Sequence, residues 1–194
     1  MVILCIICVY PLLYVLFASF SDPSQLAAHR GLLVKPLGFT FKGYEMVLQN
    51  QNILTGYANT LFYVVVGTFV NIMATSVAAY LMSRKRWAWS VPLMMMATFY
   101  MFFKGGLIPS YLLVKDLGLM NTRWALIIPS AITVWNLIIL RTAFASVPDA
   151  LEESARIDGA SELRILFNII IPVSKAAIAV QVLYYAVWHW NEWF

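Results

Sequence analysis

The sequence predicts an all-α, polytopic membrane protein with five transmembrane helices and a short helical loop on the cytoplasmic side. Three observations predict it. The 194 residues are 62% hydrophobic and 11% charged, against about 25% charged in a soluble domain, and the mean hydropathy is +0.79. The apolar residues fall into five runs near the length that crosses a bilayer, since about 20 residues at 1.5 Å of rise span a hydrocarbon core of about 30 Å. Turn formers and charges collect between the runs. Lipid is the implied solvent, and a net charge of only +4 offers no case for a nucleic-acid partner.

The first run is Val2 to Phe20. It lacks the basic n-region of a signal peptide and has the length of a span. Cys5 and Cys8 form a C-x-x-C within it, far in sequence from His29 and His189. With no further ligands nearby they read as small apolar residues on a membrane helix, and no metal site is expected. A polar segment, Ser21 to about Tyr57, follows, with Pro23, Gly31, Pro36, Gly38 and Gly43 as turn formers. The second helix is placed at about Ala58 to Met82, started by Asn59-Thr60 and stopped by Arg84-Lys85-Arg86.

The third run, Trp87 to Phe103, stops at Lys104-Gly105-Gly106. Leu107 to Val114 is too short to cross again and reads as an interfacial or re-entrant turn. The fourth run is Trp124 to Leu140 and the fifth Val173 to about Trp193. Trp87, Trp124, Trp190 and Trp193 suit interfacial anchoring. Arg84, Lys85, Arg86, Arg141, Arg156, Arg164 and Lys175 make seven of thirteen basic residues on one side, which becomes cytoplasmic. Ser21 to Tyr57 and Lys104 to Arg123 are then external, and the whole chain, 1–194, is one membrane domain with a cytoplasmic loop at about 142–172.

That loop contains "EESARIDGASELRILFNIIIP", residues 152 to 172. Ser146-Val147-Pro148-Asp149 has the form of a capping box, so a helix is expected to start there and to stop at Gly159. Ser161 can cap a second helix, Glu162 to about Ile170, which Pro172 ends or kinks. In the first helix Asp149, Glu152, Glu153 and Arg156 share one side. Val147, Ala150, Leu151, Ser154 and Ile157 gather on the other, as a small apolar face for packing. Taken alone, this also fits a solvated loop with i,i+4 support from Glu152 to Arg156.

The whole arrangement is more specific. Glu153-Ser154-Ala155, three residues, Gly159, nine residues, Ile169, one residue and Ile171-Pro172 resemble the E-A-A, x3, G, x9, I, x, L-P signature of binding-protein-dependent ABC importer permeases. Ser154 and Ile171 depart from it by small changes in bulk. The segments "FTFKGYEMVLQNQNILTGYANTLFY", "GGLIPSYLLVKDLGLMNT" and "WNEWF" look like the maltose-type carbohydrate-uptake branch. That resemblance implies a permease subunit for sugar or oligosaccharide uptake in the bacterial plasma membrane. It implies a second permease chain, usually different, two ATPase subunits, an extracytoplasmic solute-binding protein and a carbohydrate substrate. Such subunits usually have six spans, so this sequence is expected to lack the last one and residues before Met1.

The resemblance also implies roles. Glu152, Glu153, Ser154, Ala155, Arg156, Asp158, Gly159 and Pro172 form the ATPase-coupling element: Glu153 pairs with a basic residue of the ATPase, Ala155 permits close contact, Gly159 makes the turn, and the second helix with Pro172 leads into the fifth span. The chain has no G-x-x-x-x-G-K-[ST] loop, so ATP hydrolysis belongs to a partner and neither catalytic residues nor a cofactor is expected. Polar and aromatic residues within spans mark a substrate path at Asn136, Gln181, Tyr184, Tyr185 and Trp188. Helix-locking competes with it evenly at Asn136 and Gln181 and is favoured at Thr75 and Ser76, while Asn71 is a further polar residue of the second span expected to face a partner or a cavity. His189 with Glu192 suits anchoring better than acid-base chemistry, and Lys104 suits snorkelling. An ion-coupled secondary transporter is the alternative, weakened by the lack of charges in mid-span.

Overall fold

The structure, a computed structural model, describes every residue except Lys85, Lys104, Trp193 and Phe194, and every described side chain except those of Val2, Ile3, Leu4 and Ile6. The expected turn residue Lys85, the outer Lys104 and the anchor Trp193 lie outside the described residues. All regular elements among the described residues are helical. The chain divides into two compact units, Met1–Asn59 and Thr60–Phe194.

In the first unit, α1 (Val2–Ser19) realises the first run and carries Cys5 and Cys8 as exposed free thiols. Asp22 caps α2 (Pro23–Ala28) by accepting the Ser24 N–H at 2.9 Å and the Gln25 N–H at 3.4 Å. The chain then folds back: the Asp22 N–H donates to the Leu37 carbonyl at 2.8 Å and the Thr40 N–H to the Phe20 carbonyl at 3.0 Å. Phe20, Phe39, Phe41 and Tyr44 close this return as an aromatic cluster, and the Tyr44 hydroxyl donates to Ser19 Oγ at 2.8 Å. Tyr44 sits on α3 (Lys42–Gln49).

The long helix α4 (Gln51–Ser83) has 33 residues and contains the second run. It begins before the expected Asn59-Thr60, because the Asn50 carboxamide accepts the Asn52 N–H at 3.0 Å and caps the first turn. It is the one described helix long and apolar enough by itself to cross a membrane. A π-turn, Tyr63–Gly67, interrupts its α geometry. At Gly67 an added Cβ would run into the His189 ring, so this glycine permits close approach to the fifth run.

The third run becomes α5 (Ser90–Phe102), and the short outer piece becomes α6 (Leu107–Asp116). The fourth run is not one helix. It splits into α7 (Trp124–Ile127) and α8 (Val134–Ala145), because Pro129 has no N–H to donate and its ring blocks a continuous helix. After α9 (Asp149–Ile157) come α10 (Glu162–Val173), which includes a π-turn at Leu166–Ile170, and α11 (Lys175–Asn191). The axes of α10 and α11 differ by 89°, and together they pass the length and hydropathy test for one broken span. Pro172 lies inside α10, and the break falls at Ser174.

The core of the second unit joins the last turns of α4 (Ala79, Tyr80) to α8 (Leu137, Leu140, Phe144), α9 (Ala155) and α10 (Ile165, Leu166, Ile170). Arg141 of α8 donates its Nε–H to the Met82 carbonyl at 3.0 Å, which satisfies one open carbonyl at the end of α4. Phe69, Met95 and Leu183 point outward, where a soluble protein would bury them.

The expected capping box at Ser146 does not form. Ser146 ends α8 and donates its hydroxyl to the Ala143 carbonyl at 2.7 Å, while α9 starts at Asp149 after Pro148. Gly159 does stop α9: at φ +76° it lets Ala160 N–H reach the Ala155 carbonyl at 2.9 Å and its own N–H reach Arg156 at 3.0 Å, the paired bonds of a Schellman turn. Nothing lies within 4 Å of a Cβ built there, so substitution costs conformation rather than space. We expect Gly159→Val to destabilise the loop by about 2 kcal/mol and Gly159→Asn by less, since the left-handed region costs ordinary residues about 1–2 kcal/mol. Limited proteolysis of the loop checks this, and equal cleavage of the parent and the valine variant would contradict it.

Candidate functional site

The charged loop sits against the end of α4 through a chain of ion pairs. Arg84, only 8% exposed, pairs with Glu152, only 2% exposed, and lies 3.9 Å from Asp149 and over the Tyr80 ring. Arg156 donates to Glu152 at 3.1 Å and to Glu162 at 3.3 Å. Glu162 also accepts the Tyr80 hydroxyl at 2.7 Å and pairs with Arg86. Ser161 caps α10 as expected, accepting the Arg164 N–H at 3.4 Å.

This network divides the expected charged side of α9: Glu152 is buried and Arg156 half-buried beside Ala155, while Asp149 and Glu153 stay exposed, and of the expected packing side Val147 is buried but the rest is not. Ala150, Glu153, Ser154 and Ile157 face out, with Ile157 87% exposed. The i,i+4 bond from Glu152 to Arg156 forms, but it belongs to the buried base rather than to a solvated face. Asp158, Gly159 and Pro172 are exposed. Arg84, Arg86, Tyr80 and Glu162 were not singled out as partners of the loop. The signal available for them was the basic cluster just after α4, which reads as a topological marker until the carboxylates opposite are seen.

Burial works to raise the Glu162 carboxyl, but hydrogen bonds from Tyr80 and Arg156, the nearby Arg156 charge and the bond from Arg86 outweigh it and hold the group at about 2. Arg156 is shifted up in turn: burial opposes its charge, and the bond to Glu162 overcomes that.

A second feature lies where the fourth run breaks. A cavity of about 690 Å³ is lined by Thr133, Trp135 and Asn136 from the start of α8, and by Tyr184, Tyr185, Val187, Trp188, Asn191 and Glu192 from α11. Asn136, Tyr184, Tyr185 and Trp188, expected on a substrate path, line it together. Gln181 does not: it is fully buried, and neither end of its amide has a partner among the described residues. Thr133, Trp135 and Asn191 were missed, and Glu192, given to anchoring, lies on the wall with its carboxylate 3.6 Å from His189 Nδ1. Indole and phenol faces beside amide groups make a surface suited to hydroxylated, weakly apolar solutes.

Thr75 ties α4 to α11, as the helix-locking reading expects, and Asn71 holds the broken segment. The Asn71 amide donates to the Ser130 carbonyl at 3.1 Å, and Thr75 and Tyr185 share a hydrogen bond at 2.7 Å. The Thr133 N–H reaches the same Tyr185 oxygen at 3.3 Å. Ser76 is buried, and its hydroxyl has no partner among the described residues.

The family model of the binding-protein-dependent transport system inner membrane component matches residues 76–193, which contain the whole loop and both walls of the cavity. The chain belongs to that family. The chain is 40% identical over 188 residues to the polygalacturonan/rhamnogalacturonan transport system permease protein YtcP of Bacillus subtilis, covering 97% of the chain and 65% of that protein. It is also 40% identical to Protein LplC of Bacillus subtilis, with 97% and 63% covered. Among solved structures it is similar, at a TM-score of 0.93 and 34% identity, to a chain of a bacterial ABC transporter involved in the import of the acidic polysaccharide alginate, covering 99% of this chain and 68% of that one. The chain thus spans just under two thirds of the length of these two curated relatives.

Two measurements check the geometry. Thr75→Val removes one bond and leaves Tyr185 with the Thr133 N–H, whereas Tyr185→Phe strands both partners. We expect costs of about 1 and about 2 kcal/mol respectively, read from unfolding midpoints in detergent, and equal midpoints would contradict the arrangement. For Glu162 the folded pKa is depressed from 4.5 to about 2, so its stabilisation is complete above the unfolded value and is lost as pH falls through that window. The stability margin of the parent over Glu162→Gln should therefore hold from pH 7 to about pH 5 and shrink toward about pH 3. A margin that grows on acidification would contradict the ion-pair assignment.

Proposed function

We propose that this chain is the permease subunit of an ATP-driven ABC importer for carbohydrates, forming half of a translocation pore and working with a separate ATPase. The observation that carries this reading is the outward face of α9: Ala150, Glu153, Ser154 and Ile157 project from a helix whose opposite face is fixed by buried ion pairs. A small apolar patch flanked by a carboxylate, on a base that cannot yield, is suited to docking in a cleft of another protein. Membership of a binding-protein-dependent transport family and relatives named as permeases support the same reading.

In this reading the end of α4 at Arg84 and the loop at about 142–172 face the cytoplasm, and the chain lies as a multi-pass protein in the bacterial cell membrane, a single transmembrane domain. Glu153 meets a basic residue of the ATPase, Ser154 and Ile157 fill the contact, and Asp158 and Gly159 shape the turn beside it. Glu152, Ala155 and Arg156 form the base that holds this surface, and Pro172 lies on the way to α11. Two ATPase subunits, a second and different permease chain and an external solute-binding protein complete the assembly.

The cavity at Asn136, Tyr184, Tyr185 and Trp188 is the substrate path, with Thr133, Trp135 and Asn191 added to it. Sugar rings stack on aromatic faces and bond to amides, and this wall offers both. The names of the relatives, a polygalacturonan/rhamnogalacturonan transport permease and an importer of the acidic polysaccharide alginate, point to a polysaccharide or a piece of one. Gln181, fully buried one turn before Tyr185 and absent from the cavity lining, supports the wall rather than touching the solute.

The test is co-purification of the full-length subunit with its neighbouring permease and candidate ATPase. The intact subunit should retain the ATPase in detergent, while Glu153→Lys and Ile157→Asp should each reduce retention about tenfold, as loss of about 1.4 kcal/mol at a contact would. An intact subunit that retains no ATPase sinks the proposal.

A further inference from the structure

We infer that the end of α4 is a latch through which the charged loop drives the cavity, with Arg84 as its positioning residue. The inference rests on the reading of the loop as an ATPase-docking element and adds where the motion goes. The last residues of α4 and those just beyond it hold both loop helices. Arg84 holds α9 through Glu152, while Tyr80 and Arg86 hold α10 through Glu162. Arg156 bridges the two carboxylates.

Arg84 and Glu152 are each more than nine-tenths buried. Pulling them apart would strand two charges away from water, so the pair moves as one body. Tyr80, with its ring under the Arg84 guanidinium and its hydroxyl on Glu162, ties the two halves of the network together. A displacement of α9 by a partner is thereby a displacement of α4.

At its other contacts α4 reaches the cavity. Thr75 lies nine residues before Arg84 and bonds Tyr185 on the cavity wall; Asn71 bonds the Ser130 carbonyl in the broken segment that leads to Thr133. At 1.5 Å per residue these groups are about 13 and 20 Å along a helix from the latch, with no break between them. The route from α10 into α11 is different: the chain turns by 89° at Ser174, a joint that absorbs motion rather than passing it on. The geometry therefore gives the uninterrupted stretch of α4 from Thr68 to Ser83, not the bent pair, the larger share of the stroke.

The test uses the full-length subunit assembled with its partner permease and ATPase in proteoliposomes, with Cys5 and Cys8 replaced by serine and Ile132→Cys as a reporter beside Thr133. The rate of maleimide labelling at position 132 is compared with and without ATP plus vanadate. Retention and hydrolysis by the ATPase are followed in parallel. In Arg84→Gln and Glu152→Gln the ATP-dependent change in labelling, expressed per ATPase retained, should fall about tenfold. The double variant should lose no more than the worse single, the non-additivity of residues that act through one contact. Arg84→Lys, which keeps the charge, should recover most of the change. If a single variant with its stranded charge does not reach the membrane, the neutral double variant and Arg84→Lys decide between them. Arg84→Gln that binds ATPase and responds like the parent overturns the latch, as does a double variant whose losses add. Failure of the parent to bind ATPase strikes instead at the reading of the loop.

Discussion

Hydrocarbon offers no hydrogen bonds, so a chain that stops being helical inside a membrane must satisfy its own backbone or line a wet cavity. The segment between α7 and α8 does both. Pro129 forces the break, Asn71 takes the Ser130 carbonyl, and Tyr185 accepts from Thr133 while bonding Thr75. These bonds come from two different helices, so the arrangement of α4, α8 and α11 follows from the need to cover one broken stretch. The cavity is the space left beside that stretch, and its polar lining has the same origin.

The loop obeys a second electrostatic logic. A charged face turned inward is stable only where each charge meets its opposite, and Glu152, Arg156 and Glu162 do so against Arg84, Arg86 and Tyr80. The apolar residues left outside, Ile157 above all, then have no shelter within the described chain. Exposure of this kind on a rigid base is a cost to the isolated subunit and a gain on association.

Much of this was legible in the residues. Hydropathy and length located every apolar run, Gly159 and Ser161 marked the turn between the loop helices, and residue types at fixed spacing, with three further segments, carried the family resemblance. The break in the fourth run was visible as Pro129 but was read through, because a window of mean hydropathy weighs a proline lightly. The inward place of Glu152 and Arg156 and the outward place of Ile157 were missed because amphipathicity says which residues share a side and not which of them meet the protein. That choice depended on arginines almost 70 positions earlier in the chain, a pairing that no local period encodes. The same distance hid Thr133 and Trp135, whose place on the cavity wall depends on α11.

The π-turn at Leu166–Ile170 has a consequence for length. A π-turn holds one residue more than the α-turn it replaces, and each residue of an α-helix advances the screw by about 100°. Between Gly159 and Pro172 the chain is therefore wound to bring Glu162 under Tyr80 while Ile165, Leu166 and Ile170 still meet the core. A chain one residue shorter within Leu166–Ile170 would close the turn into regular α-helix with its two ends still facing as they do now, since the longer turn winds about as far as the α-turn it replaces. The same loss in a regular α-helical turn beside it would instead swing one end by about 100° against the other, so the π-turn is the one place in this stretch where a residue can be given up without turning Glu162 away from Tyr80.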